Sequence, residues 1–253
     1  MSSSIWMQCE GDSRRRPLQC TAWRVVESQH EVATRKLVST AAEQELLEQL
    51  VEGVKPPAMV GANMHYLLFT PFRYPPLRHG SRFGTRQEPG IWYGSSNLAT
   101  AFAEVAFYRL LFLEGTTASL TPISTTLSSF TVRMRSARGI DLTDAPFAEH
   151  RARIASRRSY RYSQPLGSAM RQANVELFVF PSARDVNGGT NVGAFTPAVF
   201  HKASPQQLQR WYCVATHDAV EFSASGPVRS RITHVYDRAQ FLVDGVLPTP
   251  SLP

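Results

Sequence analysis

The chain has 253 residues, 43% of them hydrophobic and 19% charged, which excludes a disordered chain and fits one large domain or two small ones. Its net charge of +7 favours anionic partners: phosphates, nucleic acid or an acidic protein. Cys9, Cys20 and Cys213 form no CxxC pair and the histidines are scattered, so no zinc site is expected and a reduced, cytoplasmic protein is the simplest reading.

In chain order, residues 1–22 are polar and read as a flexible lead-in, with the run Arg14-Arg15-Arg16 too short to define a nucleic-acid arm. An apolar signal core is not evident, and no apolar run is long enough to cross a bilayer, so no membrane contact is expected. WRVVES is extended. A helix is predicted near Thr40–Gly53, with Leu46, Leu47, Leu50 and Val51 as its apolar stripe and its glutamates in solvent. Lys55-Pro56-Pro57 ends it. HYLLF (65–69) reads as a strand, followed by the proline-framed loop TPFRYPP.

The stretch from Gly80 to Leu113 carries the strongest signals. A basic, turn-rich segment leads to a short strand, IWY (91–93). Ser95, Ser96 and Asn97 then offer N-caps for a long helix over 98–113. That helix is apolar nearly all round and should be buried on most of its circumference. Glu104 sits in its middle. An ionised carboxylate there must be paired, protonated or opened onto a cleft. Trp92 and Phe102 read as core.

Beyond it, SSFTVRM alternates as a strand, with LTPISTT extended before it. RARIASRRSYRY holds five arginines between Arg151 and Arg161. A basic exposed face is favoured for it over a docking patch for an acidic partner. SAMRQA (168–173) is helical, NVELFVFPS (174–182) contains a strand, DVNGG turns, and a strand lies near Val192–Phe195. A short helix around Gln206–Arg210 and strands near 211–215, 219–223 and 231–243 follow. Residues 23–245 form one catalytic domain in this reading, and 246–253 a frayed tail.

The ordered set WRVVESQHEVATRKLVST, PFRYPPLRHGSRFG, GIWYGSSNLATAFAEVAFYR and SQPLGSAMRQANVELFVFPSARDVNGGTN resembles the RES domain, the toxin half of bacterial RES–Xre toxin–antitoxin pairs. The resemblance runs from about Trp23 to about Phe200, and this chain is longer than the compact members of that family. It implies an α+β fold with a mixed, strongly bent sheet and flanking helices, similar to ADP-ribosyltransferases. It also implies NAD as the substrate, cleaved by hydrolysis or phosphorolysis, no metal, and an Xre-type antitoxin as partner; a homo-oligomer is left open.

The family's arginine, tyrosine and glutamate map onto Arg82, Tyr93 and Glu104, and its later serine onto Ser182, with Arg184 and Asn191 in the same motif. Its early arginine or tyrosine on the first core strand maps onto Tyr66, with Arg73 as a possible substitute for the missing arginine.

The chemistry of these residues agrees with that mapping. An arginine grips phosphate or ribose oxygens in a fixed fork. A tyrosine offers a flat apolar face with a polar tip. A carboxylate steadies a developing cation, as cleavage of a pyridinium base from ribose requires. The bland alternative is an Arg82–Glu104 structural salt bridge, with Tyr93 a half-buried strand residue. Arg109 lies too far round the helix to pair with Glu104.

The rival enzyme is an ADP-ribosyltransferase acting on a protein. The absence of any acid over residues 89–103 counts against it. A non-enzymatic nucleic-acid binder ranks behind both, because the aromatic residues do not interleave with the arginine cluster in the way a single-strand stacking platform requires. A degenerate domain kept for its partner is the remaining reading.

Overall fold

The computed structural model describes residues 4–28, 38–53, 63–74, 76, 78–116, 122–225 and 232–249. In chain order the elements are α1 (Ile5–Gln8), β1 (Arg16–Glu27), α2 (Ala41–Gly53), α3 (Tyr66–Arg73), β2 (Trp92–Ser95), α4 (Leu98–Glu114) and β3 (Ile123–Asp141). Then come α5 (Arg151–Ile154), α6 (Ser163–Gln172), β4 (Leu177–Pro181), β5 (Thr190–Ala194), β6 (Gln206–Ala215), β7 (Ala219–Ala224) and β8 (Thr233–Asp237). The fold is α+β. A single mixed sheet runs in the order β1-β2-β5-β4-β3-β6-β7-β8, and β1 also pairs with β3.

That extra pairing bends the sheet hard. Strand β3 is 19 residues long and has three partners. Its first half lies antiparallel to β6, most of its length antiparallel to β1, and its last residues, Gly139 to Asp141, parallel to β4. The pairings β1–β2–β5–β4–β3–β1 therefore close on themselves, and β6, β7 and β8 continue from β3 as a wing. Strand period places alternate side chains on opposite faces. Ala22, Trp92, Phe130, Leu177 and Val192, one from each ring strand, meet in one buried cluster, closed off by Leu68 of α3. The ring closes narrowly: β1 meets β2 at the single pair Trp23–Ser95.

Helix α4 lies over the wing. Asn97 caps it, its side-chain oxygen accepting from the Thr100 amide at 2.8 Å. Phe102 stacks on Phe222 at 4.4 Å and meets Trp211 edge-on at 4.8 Å. Each such ring buries enough apolar area to contribute about 2–3 kcal/mol. Trp92 and Phe102 are fully buried, as their sequence context predicts. One stripe of α4 stays open, however, with Tyr108 51% and Phe112 57% exposed, so the helix is less enclosed than its composition suggests.

Five other expectations change. HYLLF is helical, the start of α3, because His65 caps it by accepting from the Leu67 amide and because Leu67, Leu68 and Phe72 face the ring cluster at helical spacing. A short apolar run does not by itself distinguish a strand from a buried helix. Residues 206–210 are strand: Gln and Arg favour helix locally, but pairing with β3 prevails, with a register shift and Gln207 at a φ of 50°.

The lead-in is not loose over its described part. Ile5, Trp6 and Cys9 are buried against α6, and Gly11 is required because a Cβ there would lie 2.2 Å from the Trp6 ring. Strand β8 is only five residues long, and the segment after it turns in a 3₁₀ helix and buries Phe241. Leu247, placed in the frayed tail, packs with the α4–wing cluster.

The helix near Thr40–Gly53 forms as α2. Thr40 and Glu43 cap it reciprocally: the Glu43 amide donates to the Thr40 hydroxyl, and the Glu43 carboxylate accepts from the Thr40 amide. Its apolar stripe faces outward at Leu46 and Leu50. Lys55-Pro56-Pro57 lies outside the described residues.

Candidate active site

Glu104 lies on α4, half-buried, with one carboxylate oxygen fixed by two donors. Its Oε1 accepts from Ser182 Oγ at 2.7 Å and from Asn191 Nδ2 at 2.6 Å. Each donor is itself held so that it can only donate. The Ser182 oxygen accepts from the amides of Arg184 and Asp185, both at 3.1 Å, so its proton is left for Glu104. Asn191 faces Ser95 across β2 and β5, and its Oδ1 accepts from Ser95 Oγ at 2.7 Å, which turns its NH₂ toward the carboxylate. Among the described residues no hydrogen bond reaches Oε2.

Glu104 borders a cleft of about 470 Å³ whose walls include Val25, Val26, Val105, Tyr108, Phe112 and Leu127. The loop carrying Ser182 is pinned to the first turn of α4, where Thr100 Oγ1 donates to Asp185 Oδ2 at 2.6 Å. Gly189 makes that approach feasible: a Cβ there would sit 2.1 Å from Thr100 Oγ1.

Arg82 is buried in the loop before β2. Its Nη1 donates to the carbonyls of Ile154 at 3.3 Å and Ser156 at 2.9 Å, and its guanidinium lies over the Tyr160 ring at 5.1 Å. The hydroxyls of Tyr160 and Tyr108 are 3.2 Å apart, and Tyr108 stands one helical turn beyond Glu104. Arg82 and Glu104 are thus connected through two tyrosines, and among the described residues no ion pair joins them. The salt-bridge alternative does not form. Arg109 pairs instead with Glu27.

Tyr93 is anchored by its hydroxyl, which meets Ser81 Oγ at 2.9 Å and accepts from the Phe83 amide at 3.1 Å. Burial pushes this phenol up to about 12, against the pull of those two hydrogen bonds and of the Arg82 charge. Tyr108 is also pushed up, by burial first and then by Tyr160 and Glu104, although the residue as a whole is half exposed and lines the cleft. Both remain neutral donors near neutral pH.

Arg184 is 2% exposed, lies over the Phe107 ring at 3.4 Å and donates to the Arg157 carbonyl at 3.1 Å. Burial first, and the Arg82 charge second, pull its guanidinium down to about 10.

The structure therefore brings Glu104, Ser182 and Asn191 into contact, with Arg184 on the same loop, and sets Arg82 and Tyr93 around Ser81–Phe83 and Tyr160. It does not bring in Tyr66, which is 41% exposed at the start of α3 and stacks on His65. Arg73 ends the same helix, its guanidinium 6.0 Å from the Tyr74 ring. The first core strand is β1, not 65–69, and it does carry an arginine. Arg24 donates to the Tyr93 carbonyl at 2.9 Å and lies over the Trp92 ring at 5.1 Å, on the ring-cluster face.

Sequence reasoning missed Ser95, Tyr108 and Tyr160. Tyr108 was within reach, being four residues after Glu104 and hence on the same helix face. Nothing in the sequence couples Tyr160 to it.

The arginine cluster is spent largely on internal contacts. Arg157 donates to the Gln240 carbonyl at 2.6 Å, Arg158 pairs with Asp244, and Arg153 and Arg161 flank the Tyr162 ring. Among the described residues no cluster of His, Cys, Asp and Glu could hold a metal ion, and no helix is long and apolar enough to cross a membrane.

A model of the RES domain family matches residues 57–214. No curated protein matches the sequence.

Proposed function

Because the chain belongs to the RES domain family, which is associated with the NAD-processing toxins of toxin–antitoxin pairs, we propose that it cleaves the nicotinamide–ribose bond of NAD. The acceptor is water or phosphate, and the chain acts as the toxin of such a pair, in the cytoplasm, with an Xre-type antitoxin as partner. The observation that carries this reading is the state of Glu104. One oxygen is locked by Ser182 and Asn191, and among the described residues no hydrogen bond reaches the other, beside a cleft lined mainly by apolar side chains together with Glu27 and Arg109. A carboxylate so held is preorganised, and it stabilises positive charge on the ribose without having to reorganise as the bond breaks. Nicotinamide leaves with the bonding electron pair, and the oxocarbenium-like ribosyl centre develops next to Oε2.

Ser182 and Asn191 act through Glu104 as positioning residues, since their donors are already committed to it. Tyr93, a neutral phenol at working pH, presents its ring to the nicotinamide end. Arg82 supplies positive charge to the dinucleotide's phosphate or ribose oxygens.

The test is release of free nicotinamide from NAD by the purified chain. Glu104→Gln keeps an oxygen that can accept from Ser182 and Asn191, so the fold is expected to hold while turnover falls at least ~100-fold. An unchanged rate in a folded variant refutes the assignment.

A further inference from the structure

Among the described residues the sheet has one terminal strand. At one end of the strand order β1 turns back to pair with β3, whereas at the other end β8 pairs with β7 alone. Two bonds that flank β8 fix which way its backbone points. The Ala224 amide donates to the Ile232 carbonyl at 2.9 Å, and the Arg238 amide donates to the Asp218 carbonyl at 2.7 Å. Between them the register runs unbroken from Ser223–Thr233 to Ala219–Asp237. Bonded and non-bonded pairs alternate along an antiparallel ladder, so His234 and Tyr236 turn their amides and carbonyls toward β7. The amides of Thr233, Val235 and Asp237 and the carbonyls of Thr233 and Val235 point the other way. Among the described residues no hydrogen bond takes them up. The Asp237 carbonyl opens the 3₁₀ turn over Arg238–Phe241.

Natural edge strands are blunted by proline, lysine, a bulge or a covering segment. Strand β8 has no proline or lysine, and its register has no bulge. Its outward side chains, Thr233, Val235 and Asp237, are exposed, and Val235 and adjacent Ile232 are each 57% exposed. Its inward side chains are held against α4. The Tyr236 hydroxyl donates to the Ala99 carbonyl at 2.7 Å, and the His234 ring lies 5.1 Å from that of Phe102. The edge is thus preformed, and pairing requires little further ordering.

The edge also complements itself. A second β8 laid antiparallel about a two-fold axis through Val235 sets each valine against its own copy. The two valines exchange a pair of backbone hydrogen bonds, and each Asp237 amide meets the opposite Thr233 carbonyl. The same register brings each Thr233 hydroxyl opposite the second copy's Asp237 carboxylate on one face of the sheet. Neither group has a hydrogen bond among the described residues, so both are free to make this one. We propose that β8 is a dimerisation edge, at which two copies of this chain join their sheets antiparallel about Val235. The proposal is independent of the NAD-cleaving reading. A five-residue edge buries less than a standard interface, so a Kd of about 1 µM or weaker is expected.

The experiment is sedimentation velocity on the full chain from ~1 to ~300 µM, a range that brackets such an affinity. A reversible monomer–dimer equilibrium is expected. Thr233→Asp places like charges opposite one another at two symmetric positions and should weaken the dimer about tenfold, and Thr233→Lys should tighten it about threefold by facing Asp237. Both positions are exposed and neither substitution touches the β7 ladder. Val235→Pro removes an amide that faces away from β7, which an edge strand tolerates, and should abolish the dimer.

A chain that stays monomeric to the highest concentration overturns the proposal. So does a dimer that forms equally well with Thr233→Asp or with Val235→Pro in a folded variant, because it is then built on another surface.

Discussion

The arginines of the interior and those of the rim carry the same group to different ends. Arg24, Arg82 and Arg184 donate to backbone carbonyls and lie over the rings of Trp92, Tyr160 and Phe107. Arg16, Arg138, Arg158 and Arg238 pair with the carboxylates of Asp144, Glu176, Asp244 and Glu114. A carboxylate neutralises its partner, whereas a carbonyl and a ring hold a cation in place and leave its charge standing. Glu104 follows the interior pattern with the sign reversed, being held by a hydroxyl and an amide instead of a cation. Opposite charges are thus kept near one another without pairing. The rim pairs are screened and exposed and contribute little to stability.

The largest expected effect comes from removing an interior charge next to the site. Arg82→Met should lower kcat/KM for NAD by about 100-fold, or ~2.7 kcal/mol of transition-state stabilisation. Nicotinamide release at subsaturating NAD is the measurement. A variant that stays folded and within a factor of three of the parent would place Arg82 in the structure alone.

Arg24 separates position from chemistry. It has the same kind of contacts as Arg82 but faces the ring cluster, away from Glu104. Arg24→Met strips the Tyr93 carbonyl of its donor, so a loss of about 1–3 kcal/mol in chemical denaturation is expected. Turnover per folded molecule should stay within about twofold, because among the described residues no hydrogen bond joins Arg24 to Glu104, Ser182 or Asn191 and its bond to Tyr93 is to the backbone.

Tyr93 makes the interior sensitive to alkali. An unfolded chain loses a phenolic proton near 10, whereas the fold holds the Tyr93 proton up to about 12. Above pH 10 the unfolded state therefore binds fewer protons, and stability falls as pH rises toward 12 by up to ~1.4 kcal/mol per unit from this residue. Below pH 10 the contribution is complete and flat. Tyr93→Phe should flatten part of that alkaline slope in denaturation curves recorded from pH 9 to 11.5. An identical slope would assign it to other groups that burial shifts in the same direction, Tyr108, Tyr236, Cys20 and Cys213.

Local signals made α4 and its cap readable in advance. Asn97 precedes a long apolar run, and Glu104 is the one acid within that run up to Leu113. Arg82 and Tyr93 were readable through resemblance, though not how they would be held. What stayed hidden depends on long-range pairing. Residues 206–210 look helical until β3 pairs with them. Tyr160 becomes a site neighbour only because the loop carrying it folds onto Arg82. The first core strand was misplaced because HYLLF is as apolar as a strand, while β1 has a charged residue, Arg24, that the ring conceals.

The smallest effect belongs to the rim and completes the contrast. Among the described residues Arg158 is the arginine-cluster member with a full ion pair, to Asp244, and both side chains are more than half exposed. Exposed pairs of this kind are worth about 0–1 kcal/mol, because solvent and salt screen them and ordering two long side chains costs entropy. Arg158→Ala should therefore shift the unfolding free energy by under ~1 kcal/mol and leave nicotinamide release unaltered. A loss comparable with that of Arg24→Met would mean that the 151–162 segment is anchored at its surface. The carbonyls that Arg82 and Arg184 take from Ile154, Ser156 and Arg157 would then be a consequence of that anchoring and not its cause.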